Sequence, residues 1–187
     1  MQLRRMCAIR GPARAPALCL ILAAAGGCQQ SSARLGDDAA LTTFVELVRP
    51  RQIEIQRHFT KPVSYEGSGD ADGLEVIVAA KDASGDEVKC VGEFLFELYE
   101  QRLASGDPLG KRVAYWAVSV DSADSVQLYW DSLSRFFKFP LRFEQQVLAP
   151  GRYVLTAQLA APGGAKLRDD YDFSYRAGSA RSSSIGS

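Results

Sequence analysis

The stretch of sequence that decides the fold is Phe136-Phe137-Lys138-Phe139-Pro140-Leu141-Arg142-Phe143-Glu144. From Phe137 onward a large apolar residue occupies every second position, and a charged residue or a proline stands between. Side chains of a β-strand point alternately to its two faces, so this pattern predicts a strand with one buried face. Phe136 falls on the polar face. The stretch therefore predicts a core strand that also carries one exposed aromatic ring.

The same period of two recurs along most of the chain. Alternating apolar residues occur at Ile53 and Ile55; Leu74, Val76 and Val78; Phe94, Phe96 and Leu98; Trp116, Val118 and Val120; Tyr153, Leu155, Ala157 and Leu159; and Tyr171, Phe173 and Tyr175. Turn-forming residues separate these runs, as at 82–86 and 161–164. Many short strands with turns between them predict a mainly β chain folded as an antiparallel β-sandwich.

Residues 148–155, Leu-Ala-Pro-Gly-Arg-Tyr-Val-Leu, carry a resemblance to known sandwiches. The part Pro150-Gly151-x-Tyr153 resembles the entry to a late strand in immunoglobulin-like and transthyretin-like domains. The resemblance covers eight residues. It implies one of these two sandwich types and implies no activity.

A short helix is predicted ahead of the strands. Asp38 is a suitable helix cap, Pro50 ends the pattern, and one helical face collects Leu41, Phe44, Val45 and Val48. Helical spacing also appears within 126–137, which favours a short helix or an irregular crossover there. We expect a sandwich domain over residues 38–176, a flexible tether over 28–37, and a disordered tail rich in Ser, Gly and Ala over 177–187.

Charge is distributed unevenly along the 187 residues. The whole chain has 22 basic and 22 acidic residues, but residues 1–27 contain four arginines and no acidic residue. The part from Cys28 onward therefore has 18 basic against 22 acidic residues, a net charge of −4. This part has no basic patch interleaved with aromatic residues, so nucleic acid is not an expected partner.

Residues 1–27 have the order of an export signal: a basic stretch through Arg14, an apolar run over 15–25, then small residues. The apolar run has 11 residues, whereas a membrane-spanning helix needs roughly 20. The ending Ala25-Gly26-Gly27-Cys28 resembles the lipobox of bacterial lipoprotein precursors. That resemblance implies cleavage between Gly27 and Cys28, and attachment of fatty acyl chains to Cys28.

The same resemblance implies a location. A lipoprotein with several acyl chains stays on a membrane, because each buried methylene contributes roughly 0.8 kcal/mol. Gln29, not Asp, follows the cysteine, which in diderm bacteria implies transfer to the outer membrane. The expected place is the cell envelope, with the membrane as a partner through the lipid.

Few residues suggest catalysis. Cys90 is the one thiol left in the domain once Cys7 and Cys19 leave with the signal and Cys28 is acylated, and its apolar neighbours predict a core position. His58 is the single histidine, and no serine lies in a Gly-x-Ser-x-Gly motif. A pairing of Cys90 with His58 is the one formal nucleophile and base. We expect neither an enzyme nor a cofactor.

Two kinds of binding site are candidates. Aspartates in turns, chiefly Asp82 and Asp86, are candidate calcium ligands, although turns favour aspartate for structural reasons as well. Residues 68–73 resemble the start of an EF-hand loop, but the later ligands of that loop are absent. Trp130 and Phe136 are candidates for an aromatic ligand platform, with core packing as the alternative. The leading hypothesis is a non-enzymatic binding or structural module for an envelope protein or polysaccharide. A carboxylate-based hydrolase, and a calcium-dependent adhesin or carbohydrate-binding module, remain the alternatives.

Overall fold

Two β-sheets face one another in the computed structural model, which describes residues 34–67, 69–102, 106, 108–144, 147–178 and 181–182. Two helices accompany the strands: α1 (Arg34–Val48) precedes them, and α2 (Ala123–Tyr129) follows the fifth strand. The strands are β1 (Gln52–Ile55), β2 (Lys61–Ser64), β3 (Gly73–Lys81), β4 (Gly92–Gln101), β5 (Leu109–Val120), β6 (Trp130–Asp131), β7 (Phe136–Arg142), β8 (Gly151–Ala160), β9 (Lys166–Tyr175) and β10 (Arg181–Ser182).

The first sheet, sheet A, has the strand order β10-β2-β3-β7-β6, and β1 pairs with the part of β3 that β2 leaves free. The second sheet, sheet B, has the order β5-β4-β8-β9. Every pairing is antiparallel except that of β10 with β2. The predicted antiparallel β-sandwich is confirmed.

The register places the apolar parity of each strand between the sheets. In sheet A, Val76 lies beside Phe139 and Val78 beside Phe137; in sheet B, Phe96 lies beside Ala157. The rings of Phe94, Phe96, Phe137 and Phe139 are fully buried, and Phe139 contacts Phe94 and Phe96 at centroid distances of 4.8 Å and 4.9 Å. The alternation of residues 136–144 therefore forms the centre of the core, as the sequence predicts.

Polar bonds join the two sheets at their margins. The carboxylate of Asp169 on β9 accepts a hydrogen bond from the backbone N–H of Ile55 on β1 at 2.7 Å. On the opposite side, the indole N–H of Trp116 donates to the carbonyl of Arg142 at 2.7 Å. Between β5 and β6, α2 crosses from one sheet to the other and begins with a capping box formed by Ser122 and Ser125.

Two elements differ from the sequence prediction. Helix α1 begins at Arg34, inside the predicted tether, because Arg and Leu favour helix and Asp38 continues the helix instead of capping it. The apolar side chains on its predicted face are exposed. In the predicted disordered tail, Arg181–Ser182 pairs with β2. Residues 179–180 and 183–187 lie outside the described part.

Candidate functional site

A shallow depression on the outer face of sheet A is the best candidate for a binding site. We call it the Phe59–Phe136 depression, after the two aromatic rings on its floor, whose centroids lie 6.4 Å apart. Its volume is about 680 Å³, within the range of ligand sites in proteins. The lining combines apolar and charged groups, contributed by His58, Phe59, Lys61, Glu75, Ile77, Asp131, Ser134, Phe136 and Lys138.

The turn between β1 and β2 positions Phe59. The N–H groups of Phe59 and Thr60 both donate to the carbonyl of Gln56. The buried hydroxyl of Thr60 accepts from the N–H of Ile77 at 3.0 Å, so the side chain replaces the strand pairing that the turn interrupts. This turn directs the ring of Phe59 outward, and 59% of its surface is exposed.

A second turn positions Phe136. The carboxylate of Asp131 accepts the N–H of Leu133 at 2.8 Å, and the carbonyl of Asp131 accepts the N–H of Arg135. Arg135 has a φ of 61°, a left-handed conformation that is uncommon outside glycine. Its guanidinium donates to the carbonyl of Glu87 at 2.6 Å and holds the turn against the connection between β3 and β4. Phe136 follows directly, on the face opposite the core.

Charge in the depression centres on Glu75. Only 13% of its side chain is exposed, and its two oxygens face the ammonium groups of Lys138 at 2.7 Å and Lys61 at 3.4 Å. Asp131 adds a second carboxylate to the lining, so the charges of the two lysines are balanced. Such a surface suits a partner that offers both an apolar or sugar-ring face and hydrogen-bonding groups.

The depression contains one carboxylate that is unsuited to act as a general acid. Its two carboxylates belong to Glu75 and Asp131, and the backbone N–H groups of Leu133 and Ser134 lower the pKa of Asp131 below its ordinary value. A hydrolytic pair needs one carboxyl that stays protonated near neutral pH. Asp131 is therefore held as an anion that shapes a turn. His58 lies exposed at the rim.

Trp130 does not share the depression with Phe136. In the register of β6 and β7, Trp130 lies beside Phe137, and its ring packs edge-on against that buried ring at 5.0 Å. The ammonium group of Lys89 lies 5.7 Å from the centre of the Trp130 ring. The two predicted platform residues thus face opposite sides of sheet A: Trp130 borders the core, and Phe136 faces solvent together with Phe59.

The aspartates singled out as calcium ligands are engaged in local structure. The carboxylate of Asp82 accepts the N–H groups of Ser84 and Asp86 within its own turn, and that of Asp72 accepts those of Tyr65 and Glu66. In the described part of the chain, no three His, Cys, Asp or Glu side chains are placed to hold a metal ion. The geometry is that of turns stabilised by aspartate.

Cys90 lies at one end of the sandwich, in a different place from His58. It is 5% exposed, and burial raises the pKa of its thiol to about 12. It forms part of an apolar groove of about 510 Å³, which we call the end groove. The apolar residues of the end groove are Val45, Val48, Pro50, Cys90, Val91, Val126, Ala161, Pro162 and Ala165. The structure does not bring the formal pair of Cys90 and His58 together.

The expected cleavage site at Gly27 and the expected lipid site at Cys28 lie outside the described residues. Neither described helix has the length and apolar character needed to span a bilayer.

Sequence reasoning missed Phe59, Lys61, Glu75 and Lys138. Phe59 stands in a turn, outside any periodic run, and the pairing of Glu75 with two lysines depends on strand neighbours that only the register reveals. The available sequence signal for Glu75 and Lys138 was the alternation of polar residues on the outward side of β3 and β7. No protein-family model matches the chain, and neither the curated proteins nor the solved structures contain a significantly similar one.

Proposed function

We propose that this chain is a lipid-anchored protein of the bacterial cell envelope whose β-sandwich binds a partner without catalysing a reaction. The anchor is supported by the order of residues 1–27 and by the lipobox-like ending at Cys28. Absence of an inner-membrane retention residue at Gln29 favours the outer membrane. The partner is an envelope protein or polysaccharide.

The observation that carries the binding role is the outward position of Phe59 and Phe136. Large aromatic rings normally enter the core, and seven of the other rings of this domain pack between or against the two sheets. Two turns with specific hydrogen bonds instead hold these two rings on the outer face of sheet A, where Phe59 is exposed and Phe136 is half-buried. Exposed aromatic rings beside a structured charge network are typical of recognition surfaces.

The chemistry of the depression suits a polymer that has both apolar faces and polar groups. The face of a sugar ring, or an apolar peptide side chain, would lie on the rings of Phe59 and Phe136. Lys61 and Lys138 would then donate hydrogen bonds to carboxylates or hydroxyl groups of the same partner, while Glu75 keeps both ammonium groups in place. No comparable observation in the described residues supports the hydrolase or the calcium-dependent adhesin.

Lipid attachment is tested by metabolic labelling with a radioactive fatty acid. We expect label in the wild-type protein and in Cys90→Ala, but none in Cys28→Ser, because only Cys28 follows a lipobox. Cys28→Ser should also leave the carbonate-washed membrane fraction. Label that survives in Cys28→Ser would refute the anchor.

Binding is tested with the host's purified cell-wall polysaccharide and with solubilised envelope proteins as separate probes. The double variant Phe59→Ala, Phe136→Ala should bind the true partner at least about tenfold more weakly, since truncating a central aromatic contact typically costs about 2 kcal/mol. The matched control is Tyr115→Ala, which removes a ring that is 50% exposed on sheet B. Equal binding by the double variant and the control would exclude the depression as the site.

A further inference from the structure

Helix α1 presents an apolar face that nothing in the described part of the chain covers. Leu41, Phe44, Val45 and Val48 recur at helical spacing, yet between 40% and 60% of each side chain is exposed. Thr42, Thr43 and Glu46 lie on the other side of the helix. A helix with one apolar and one polar face is stable when the apolar face meets a second apolar phase.

The face continues into the end groove. Val45 and Val48 belong to both, and the groove extends the apolar surface to Val91, which is 41% exposed, and to Pro162. The groove belongs to the end of the sandwich where β1 and β4 begin and β8 turns into β9. Helix and groove therefore form one apolar surface at one end of the molecule.

This surface carries a modest excess of basic charge. Glu46, on the polar side of α1, forms ion pairs with Arg49, at 2.9 Å, and with Arg51. The remaining cation near the groove, Lys89, lies over the Trp130 ring. Three cations therefore stand beside one carboxylate. A bilayer without net charge removes ionic attraction and leaves only the contribution of the apolar face, so it is the appropriate test surface.

The distance to the anchor determines what lies closest to this surface. Arg34 lies six positions after Cys28, and at full extension this length of chain spans about 20 Å. The 15 residues of α1 add about 22 Å. If Cys28 carries lipid, the whole helix stays within reach of the bilayer surface at a high effective concentration, whereas no other partner is held so near.

We propose that α1 and the end groove dock on the lipid surface, with the apolar face of α1 in the boundary between headgroups and acyl chains. The inference rests on the proposed lipidation of Cys28. It turns the tether from a flexible spacer into an interfacial helix. The sandwich then stands on the membrane by one end instead of moving freely above it.

The test uses the full-length lipidated protein in phosphatidylcholine vesicles with brominated acyl chains, which quench a nearby nitrobenzoxadiazole dye. In a Cys90→Ala background, one cysteine is introduced as Phe44→Cys on the apolar face, Thr43→Cys on the opposite face, or Ser174→Cys near the other end of β9. We expect quenching at position 44 to exceed that at 43 about threefold or more, since an interfacial helix buries one face by about 5–10 Å. Position 174 should remain unquenched.

Each alternative has its own outcome. Equal, weak quenching at 43 and 44 would mean that the domain hangs freely from its lipid. Disulfide crosslinking of Phe44→Cys between two chains, with no quenching, would assign the surface to a second copy. Either result overturns the docking proposal while the mass of the amino-terminal peptide still shows lipid on Cys28. A peptide without lipid would instead overturn the proposed anchor itself, and docking with it.

Salt provides an independent check. Quenching at position 44 should change little between about 0.05 M and 0.5 M sodium chloride, because apolar insertion is not screened whereas ionic attraction is. Loss of quenching at high salt would overturn the inference that the surface docks through its apolar side chains.

Discussion

The aromatic core and the apolar face of α1 contain side chains of the same kind with opposite surroundings. Phe94, Phe96 and Phe139 have no exposed surface and contact each other at ring distances of 4.8–6.2 Å. Phe44 on α1 keeps 59% of its surface exposed. Both sets follow the correct period for their secondary structure. Periodicity therefore decides which residues share a face, and the presence of an opposing surface decides whether that face is buried.

The fold explains why the sheets have an opposing surface and why α1 does not. Sheet A and sheet B each bury one face because the other sheet is there, and the backbone hydrogen bonds of long strands hold both in register. Helix α1 precedes the first strand and pairs with no sheet. Its C-terminal residues reach the end groove, and the rest of its apolar face requires a partner from outside the domain, for which we propose the bilayer.

The largest contrast is expected between Phe139→Ala and Phe44→Ala. Removing the Phe139 ring leaves a cavity among four aromatic neighbours, so the free energy of unfolding should fall by about 3–5 kcal/mol. In solution without lipid, Phe44→Ala should change it by less than about 0.5 kcal/mol. Urea unfolding followed by circular dichroism measures both. A loss at Phe44 as large as that at Phe139 would show that α1 packs on the domain.

A somewhat smaller loss of stability is expected at Gly92, where two backbone segments approach closely. Gly92 begins β4 with a φ of 151°, and a Cβ atom there would lie 2.5 Å from the carbonyl oxygen of Ala160. Gly92→Ala should therefore lower the free energy of unfolding by about 3 kcal/mol, from strain and overpacking together.

The control for Gly92 is Gly163, which also has a positive φ, of 86°, but has open space around its Cβ position. Gly163→Ala should cost about 1 kcal/mol from backbone conformation alone. Equal losses in the two variants would mean that the close approach of Ala160 has no energetic weight.

Much of the sandwich could be predicted from the sequence because its signals are local. The alternation at 136–144 correctly identified Phe137 and Phe139 as core and placed Phe136 on the opposite face, where it is half-buried. The apolar neighbours of Cys90 correctly predicted its burial. What stayed hidden depends on contacts between distant residues: the exposure of α1, the strand pairing of Arg181–Ser182 and the outward turn of Phe59.

The candidate site was only half visible for the same reason. Phe136 could be identified from its parity within one strand, but its companion Phe59 lies 77 positions earlier, in a turn. The sequence places Trp130 and Phe136 in one set of neighbouring aromatic residues, which suggests a common face. In the structure, β6 ends at Asp131 and a turn reverses the chain, so strand register, not nearness in the sequence, determines which way each ring faces.

Cys90 borders the core where it meets the end groove, and its pKa allows that border to be tested by pH. The pKa of about 12 in the folded protein exceeds the value of about 8.5 for an unfolded cysteine. Its contribution to stability is therefore complete below about pH 8.5 and is lost as pH rises toward the folded pKa, by about 1 kcal/mol per pH unit.

The measurement compares wild type with Cys90→Ala at pH 8 and pH 10 by urea unfolding. Wild type should lose about 2 kcal/mol more than the variant over this interval, because only wild type can ionise this thiol. Lysines and tyrosines titrate in both proteins and cancel in the comparison. If both proteins lost the same free energy of unfolding, the Cys90 thiol would be in contact with water. Cys90 would then belong to the exposed surface and not to the core.

The smallest effect is expected at Tyr153, where a buried ring carries one polar atom at the core's edge. Its ring is 4% exposed, and its hydroxyl donates to the carbonyl of Ala149 at 2.7 Å, tying the start of β8 to the preceding loop. Tyr153→Phe keeps the ring and removes only this bond. The carbonyl of Ala149 belongs to an exposed residue and can bind water instead, so the loss should be about 1 kcal/mol.

Tyr115→Phe, at a half-exposed ring on sheet B, should cost nothing measurable. If both variants match wild type in urea unfolding, the resemblance of Pro150-Gly151-x-Tyr153 to a strand entry reflects ring burial alone, and the bond to Ala149 does not hold the loop.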